Sequence, residues 1–135
     1  MDSIRYELSP RPDELALNRL FARAWPHHEE RDFARLLEHS LVYVCAYSSD
    51  SLVGFANVVG DGGVHAFLLD PTVDPDFQRQ GIGRELIRHA AEASRERGAE
   101  WLHVDYEPHL DGFYKGAGFR STPAGLMNLM SSDAG

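Results

Sequence analysis

The sequence predicts an α/β fold of the α+β kind: a mixed, mostly antiparallel sheet with helices on both faces. Three observations predict it. Two helical patterns occupy residues 12–37, three strand-like runs then follow on short polar connections, and a long amphipathic helix separates the run 64–73 from the run 101–106. Consecutive strands on short links make an antiparallel meander, whereas a helix between two strands makes a right-handed crossover that sets them parallel. With 135 residues the chain fits one domain, 1–135, able to bury a core without metals or disulfides.

Element by element, "SIRYEL" (3–8) alternates polar and apolar and stops at Pro10, as an edge or near-edge strand does. From Pro12, the residues Leu15, Leu17, Leu20, Phe21, Ala24 and Trp25 keep helical spacing, with Pro12 placed for a first turn and Asp13 and Glu14 suited to the positive end of the dipole. Trp25-Pro26 stops this helix. After the charged "HHEERD", a second helix carries Phe33, Leu36 and Leu37. "LVYVCAYS" (41–48) and "LVGFANVV" (52–59), joined by a short polar turn, read as a hairpin, and "VHAFLLDPTV" (64–73) adds the third strand. The helix begun at Gly81 puts Ile82, Leu86, Ile87, Ala90 and Ala91 on one side and charges opposite, and Gly98 ends it. "WLHVDY" (101–106) is the next strand. A short helix around "HLDGFYKG", a turn at Gly118 and two strand-like pieces, "FRST" and "GLMNLM", complete the reading. "GLMNLM" supplies a last strand or the edge of a homodimer.

The formal net charge is −8, and the arginines are spread along helices. Phosphate-backbone binding draws on clustered Lys and Arg, so a nucleic-acid partner is disfavoured and a cationic acceptor favoured. No apolar run approaches the roughly 20 residues that span a bilayer, so no membrane partner is expected. The N-terminus lacks a basic region followed by an apolar one, and Cys45 is the single cysteine, which together point to a cytoplasmic protein. Cys45 reads as a small buried hydrophobe in a strand. His27 and His28, adjacent in a charged loop, cannot share a helix face, and His65, His103 and His109 read as lone residues, so no metal site is expected.

The stretch "DPDFQRQGIGRELI" (74–87) carries the chemistry. Where a strand turns into a helix, the first amides lack intrahelical partners and, with the helix dipole, make an anion site. Gly81 and Gly83 remove the Cβ atoms that would hold a phosphate off the backbone and permit positive φ, while Arg79 and Arg84 add charge. A dinucleotide fingerprint would need a third glycine where Leu86 stands, and a P-loop a Gly-Lys-Ser/Thr ending that is missing.

"VDPDFQRQGIG" resembles the Gln/Arg-x-x-Gly-x-Gly/Ala signature of the GNAT superfamily of N-acetyltransferases, with its Val-x-Pro lead-in at Val73 and Pro75. "FYKGAGF" (113–119) is similar to that family's second segment, and the two motifs together cover about residues 64–119. The resemblance implies a GNAT-like fold in which a central parallel strand pair splays around acetyl-CoA. By motif match, the amides of Gln78, Arg79, Gln80, Gly81, Ile82, Gly83 and Arg84 would hold the coenzyme A diphosphate, and Val73 would pair with the pantetheine arm. The implied activity is direct transfer of the acetyl group to an amine, in a small molecule or a peptide.

Such a transfer needs a deprotonated amine, a donor for the oxyanion and an acid for the departing thiolate. Tyr114 matches the position that often supplies the acid in the family, though it also suits the core of a short helix. Asp70 and Glu107 are candidate bases at the open ends of the splayed strands, where a partly buried carboxylate gains basicity. Both also have ordinary readings, Asp70 as a cap before Pro71 and Glu107 as a solvated residue before Pro108, and relay through water is a further route. Two departures stand out: Glu107 replaces a common Asn, and Pro71 has no N–H where many relatives use one, so either the register shifts by a residue, through a bulge involving Asp70 and Thr72, or the oxyanion is held otherwise. Non-catalytic acyl-CoA sensing, or binding of another diphosphate nucleotide, are the alternatives.

Overall fold

Alternation and helical period decide most of the elements, and the computed structural model, which describes residues 3–130, shows where they begin and end. In chain order they are β1 (Ile4–Leu8), α1 (Glu14–Ala24), α2 (Phe33–Leu37), β2 (Val42–Ser48), β3 (Ser51–Gly60), β4 (His65–Val73), α3 (Ile82–Glu96), β5 (Trp101–His103) and α4 (Asp111–Gly116). Single 3-10 turns lie at Pro75–Phe77 and Pro108–Leu110. The elements fall into two compact units, the first ending at Val104 and the second beginning at Asp105.

The first unit holds a five-stranded sheet in the order β1-β2-β3-β4-β5. Its first three pairings are antiparallel and β4–β5 is parallel, as the crossover through α3 requires. The parallel pair lies at one side of the described sheet, not at its centre. It is also short, joining His65 to Trp101, Ala66 to Leu102 and Phe67 to His103.

Cys45 on β2 stands opposite Phe55 on β3, and the two pack with Leu17, Leu20 and Phe21 of α1 and Phe33 of α2 in a fully buried cluster. The Phe21 and Phe33 rings lie 5.0 Å apart. Burying each such side chain is worth roughly 1.5–3 kcal/mol. On the opposite face Ala46 pairs with Gly54, where a Cβ would come within 3.1 Å of Leu86 and 3.2 Å of Ile82. The missing side chain lets α3 sit against the strand.

Several boundaries differ from the sequence reading. Asp13 is the α1 cap, its carboxylate accepting the Leu15 N–H, so Pro12 precedes the helix and does not open its first turn. Trp25 is already extended, in keeping with the bias of a residue before proline. β5 ends at His103 and not at residue 106: Tyr106 donates its hydroxyl to Asp111 at 2.8 Å within the second unit. Neither "FRST" nor "GLMNLM" forms a strand among the described residues. A strand needs an edge to pair with, and Leu129 and Met130 are instead 86% and 95% exposed.

Candidate functional site

The C-terminal half of β4 departs from regular pairing. Asn57 pairs with Leu69 and Phe55 with Thr72, so Asp70 and Pro71 together oppose the single residue Ala56. This is a β-bulge, and it makes room for Pro71, which has no N–H to give to a ladder. Asp70 takes a left-handed φ of +51°. Side chains from the segment that follows α1 brace the bulge. Trp25 Nε1 donates to Thr72 Oγ1 at 3.0 Å, Thr72 Oγ1 donates to the Asp70 carbonyl at 2.8 Å, and Arg31 pairs with the Asp70 carboxylate at 3.3 Å.

Past β4 the chain turns sharply. The Asp74 N–H donates to the Val53 carbonyl at 2.8 Å, and the Asp74 carboxylate caps the Pro75–Phe77 turn by accepting the Asp76 N–H at 2.9 Å. Gln78 reaches back with Nε2 to the Val73 carbonyl at 3.3 Å. Arg79 and Gly81 then take φ values of +64° and +84°, and α3 begins. Glu85 is the first residue of α3 whose N–H reaches four residues back, to the Gly81 carbonyl at 3.1 Å. The amides of Ile82 and Gly83 precede that ladder, as at any helix start. Ile82 is buried and anchors the turn, whereas Gln78, Arg79, Gln80, Gly81 and Arg84 are exposed. Nothing lies within 4 Å of the position a Gly81 Cβ would take, which leaves an open cradle of the kind a diphosphate needs. β4 runs on to Val73 past the point where β5 ends at His103, opposite Phe67, so the half of β4 that carries Val73 is not paired with β5.

In the second unit Tyr114 is 6% exposed on α4. Its ring stacks on Tyr106 at 4.5 Å and 18°, with Phe113 and Phe119 edge-on at 5.0 and 5.8 Å. Burial, and then the nearby Asp105, push its phenol above the ordinary value, so the hydroxyl keeps its proton at neutral pH. Tyr106 is itself tied to Asp111, which also accepts Ser121 Oγ at 2.9 Å and pairs with Lys115 at 2.9 Å. The hydrogen bonds from Lys115, Tyr106 and Ser121 bring the Asp111 carboxyl down to about 2. Glu107 precedes the Pro108–Leu110 turn without capping it and is exposed, so the burial expected of a carboxylate base is not found there.

Asp70, Val73 and residues 78–84 thus share one end of β4 in the first unit, while Glu107 and Tyr114 belong to the second. Arg23, Trp25, Arg31 and Tyr106 were not singled out by the sequence for the contacts they make. Two of the three histidines read as lone are in fact a pair, His65 Nδ1 lying 2.8 Å from His103 Nε2 across β4 and β5. His28 bonds Asn18 at 2.9 Å. Cys45 is fully buried, and burial pushes its thiol up to about 12.

The sequence pattern of the Acetyltransferase (GNAT) family matches residues 9–119. GCN5-related N-acetyltransferase 1, chloroplastic, from Arabidopsis thaliana is 31% identical over 84% of this chain and 59% of its own length. An uncharacterized N-acetyltransferase of Prochlorococcus marinus is 28% identical over 75% of this chain and 58% of its own. The chain therefore spans under three fifths of the length of these relatives. Among solved structures, a GNAT family acetyltransferase from Streptococcus pneumoniae superposes with a TM-score of 0.78 at 27% identity, covering 94% of this chain and 99% of that one. The aminoglycoside N-acetyltransferase AAC(6')-Iy, solved in complex with CoA, has a TM-score of 0.77 at 18% identity, covering 95% of each chain, and so shares the fold.

Proposed function

Because this chain belongs to the acetyltransferase (GNAT) family, whose members use acetyl-CoA as co-substrate, we propose that it transfers an acetyl group from acetyl-CoA directly to an amine. The observation that carries the proposal is the turn at residues 78–84, with left-handed Arg79 and Gly81, an open cradle and a helix start behind it. In this reading both units act as one acetyltransferase domain. The amides of Gln78–Arg84 hold the diphosphate, and the backbone about Val73, beyond the end of the parallel pairing, takes the pantetheine arm.

The carbon–nitrogen bond forms as the carbon–sulfur bond breaks, the amine proton leaves to a base, and the thiolate takes a proton from an acid. Tyr114 is the acid: its buried phenol is protonated at neutral pH, and it can give that proton without first carrying charge. Asp70, held by Arg31, and Glu107 are the base candidates, directly or through water. The acceptor is a small or peptide amine, in keeping with the acidic chain. A cytoplasmic homodimer belongs to the same proposal; no helix among the described residues is long and apolar enough to cross a membrane.

The test mixes the purified chain with acetyl-CoA and a panel of amines and peptides and follows thiol release. Amine-dependent release is expected, and Tyr114→Phe should lower turnover by about 10²-fold or more with coenzyme A affinity little changed. Coenzyme A binding with no release on any amine would favour the sensor reading. Undiminished turnover in Tyr114→Phe would remove the acid assignment.

A further inference from the structure

Arg23, on the last turn of α1, has no part in the chemistry above, yet it reaches 51 residues along the chain to the segment that feeds the glycine turn. Its Nε lies 2.8 Å from Asp74 Oδ2, and its Nη2 lies 3.1 Å from Asp74 Oδ1 and 2.9 Å from Asp76 Oδ2. One guanidinium thus serves two carboxylates, and the pairing with Asp74 is two-pronged, the geometry in which arginine holds a carboxylate best.

Asp74 is the joint of this region. Its N–H closes β4 onto Val53, its carboxylate caps the turn that follows, and its side chain is 13% exposed, much less than the 78% of Asp76. Left-handed Arg79 and Gly81 come five and seven residues later. Two acidic groups just ahead of an anion site would oppose an anionic ligand unless something offset them, since repulsion between like charges at short range is screened only in part by salt.

We propose that Arg23 is a positioning residue for the diphosphate turn: by clamping Asp74 and offsetting one of the two negative charges of Asp74 and Asp76, it keeps residues 78–84 shaped for an anionic cofactor and lowers the repulsion that cofactor meets. The proposal rests on reading residues 78–84 as the diphosphate site. It assigns to α1 a role in cofactor affinity, exerted through the turn and without contact with the reacting atoms.

Calorimetry with coenzyme A and steady-state kinetics on acetyl-CoA test it. Arg23→Gln should weaken coenzyme A binding about fivefold, equivalent to about 1 kcal/mol, with the loss falling on KM and not on kcat. Arg23→Lys, which keeps the charge but not the two-pronged bond, should lie between Arg23→Gln and the parent chain. A merely structural contact would lower the melting temperature and leave coenzyme A affinity alone. That result, or a loss confined to kcat, overturns the proposal. Gly81→Val separates the two ideas: if it too leaves affinity unchanged, the diphosphate site is misplaced, and if it weakens binding while Arg23→Gln does not, Arg23 alone is wrongly assigned.

Discussion

At Gly81 the backbone has a φ of +84°, a region that an L side chain enters only under strain, and a β-branched one least of all. Because nothing lies within 4 Å of the missing Cβ, no packing clash adds to that cost. Gly81→Val is therefore expected to lower stability by about 1–3 kcal/mol through backbone strain, and to weaken coenzyme A binding about tenfold or more by blocking the cradle. Chemical denaturation measures the first and calorimetry the second. Retained affinity would mean that no ligand approaches the backbone here. The glycine was legible in the sequence through the motif it belongs to, since Gly-x-Gly pairs alone are common and can merely close a tight junction, but the left-handed Arg79 beside it was not. Nor was Tyr106, whose stacking on Tyr114 depends on where the chain folds back after leaving the sheet.

The segment from the β4 bulge to the start of α3 behaves as one element, braced by Trp25 at Thr72, Arg31 at Asp70 and Arg23 at Asp74. The hydrogen bond from Arg23 is the largest cause of the lowered Asp74 pKa. A carboxyl depressed in the folded state contributes stability above its ordinary value of about 4, and that contribution is lost as pH falls through the depressed value. The first unit should accordingly lose stability below about pH 4, and Arg23→Gln should flatten that acid limb. Denaturation midpoints measured between about pH 2 and 7 check this. An unchanged acid limb in the variant would show that the ion pair contributes nothing. Element identities were largely visible beforehand, because period and breakers are local. β5 stops short of residue 106 because Tyr106 turns to Asp111, a contact that its strand-like residues do not encode, and the terminal pieces, though strand-like, pair with no strand among the described residues.

Across the whole molecule, the exposed apolar side chains Leu126, Met127, Leu129 and Met130 stand close together in sequence outside any regular element. Such exposure favours association. The chain is expected to self-associate with rising concentration in sedimentation equilibrium, and Leu126→Ser with Leu129→Ser should return it toward monomer. Concentration-independent monomer in the parent chain would dismiss the homodimer. By itself, the sequence determined the order of helices and strands, the burial of Cys45 and the place of the glycine turn, because each follows from periodicity, turn residues or motif within a few tens of residues. Only the tertiary structure decided that Arg23 meets Asp74 across 51 positions, that Trp25 meets Thr72 across 47 and that His65 meets His103 across 38. Those meetings depend on how α1 packs against the bulged strand and how two parallel strands come into register, and no local pattern encodes either.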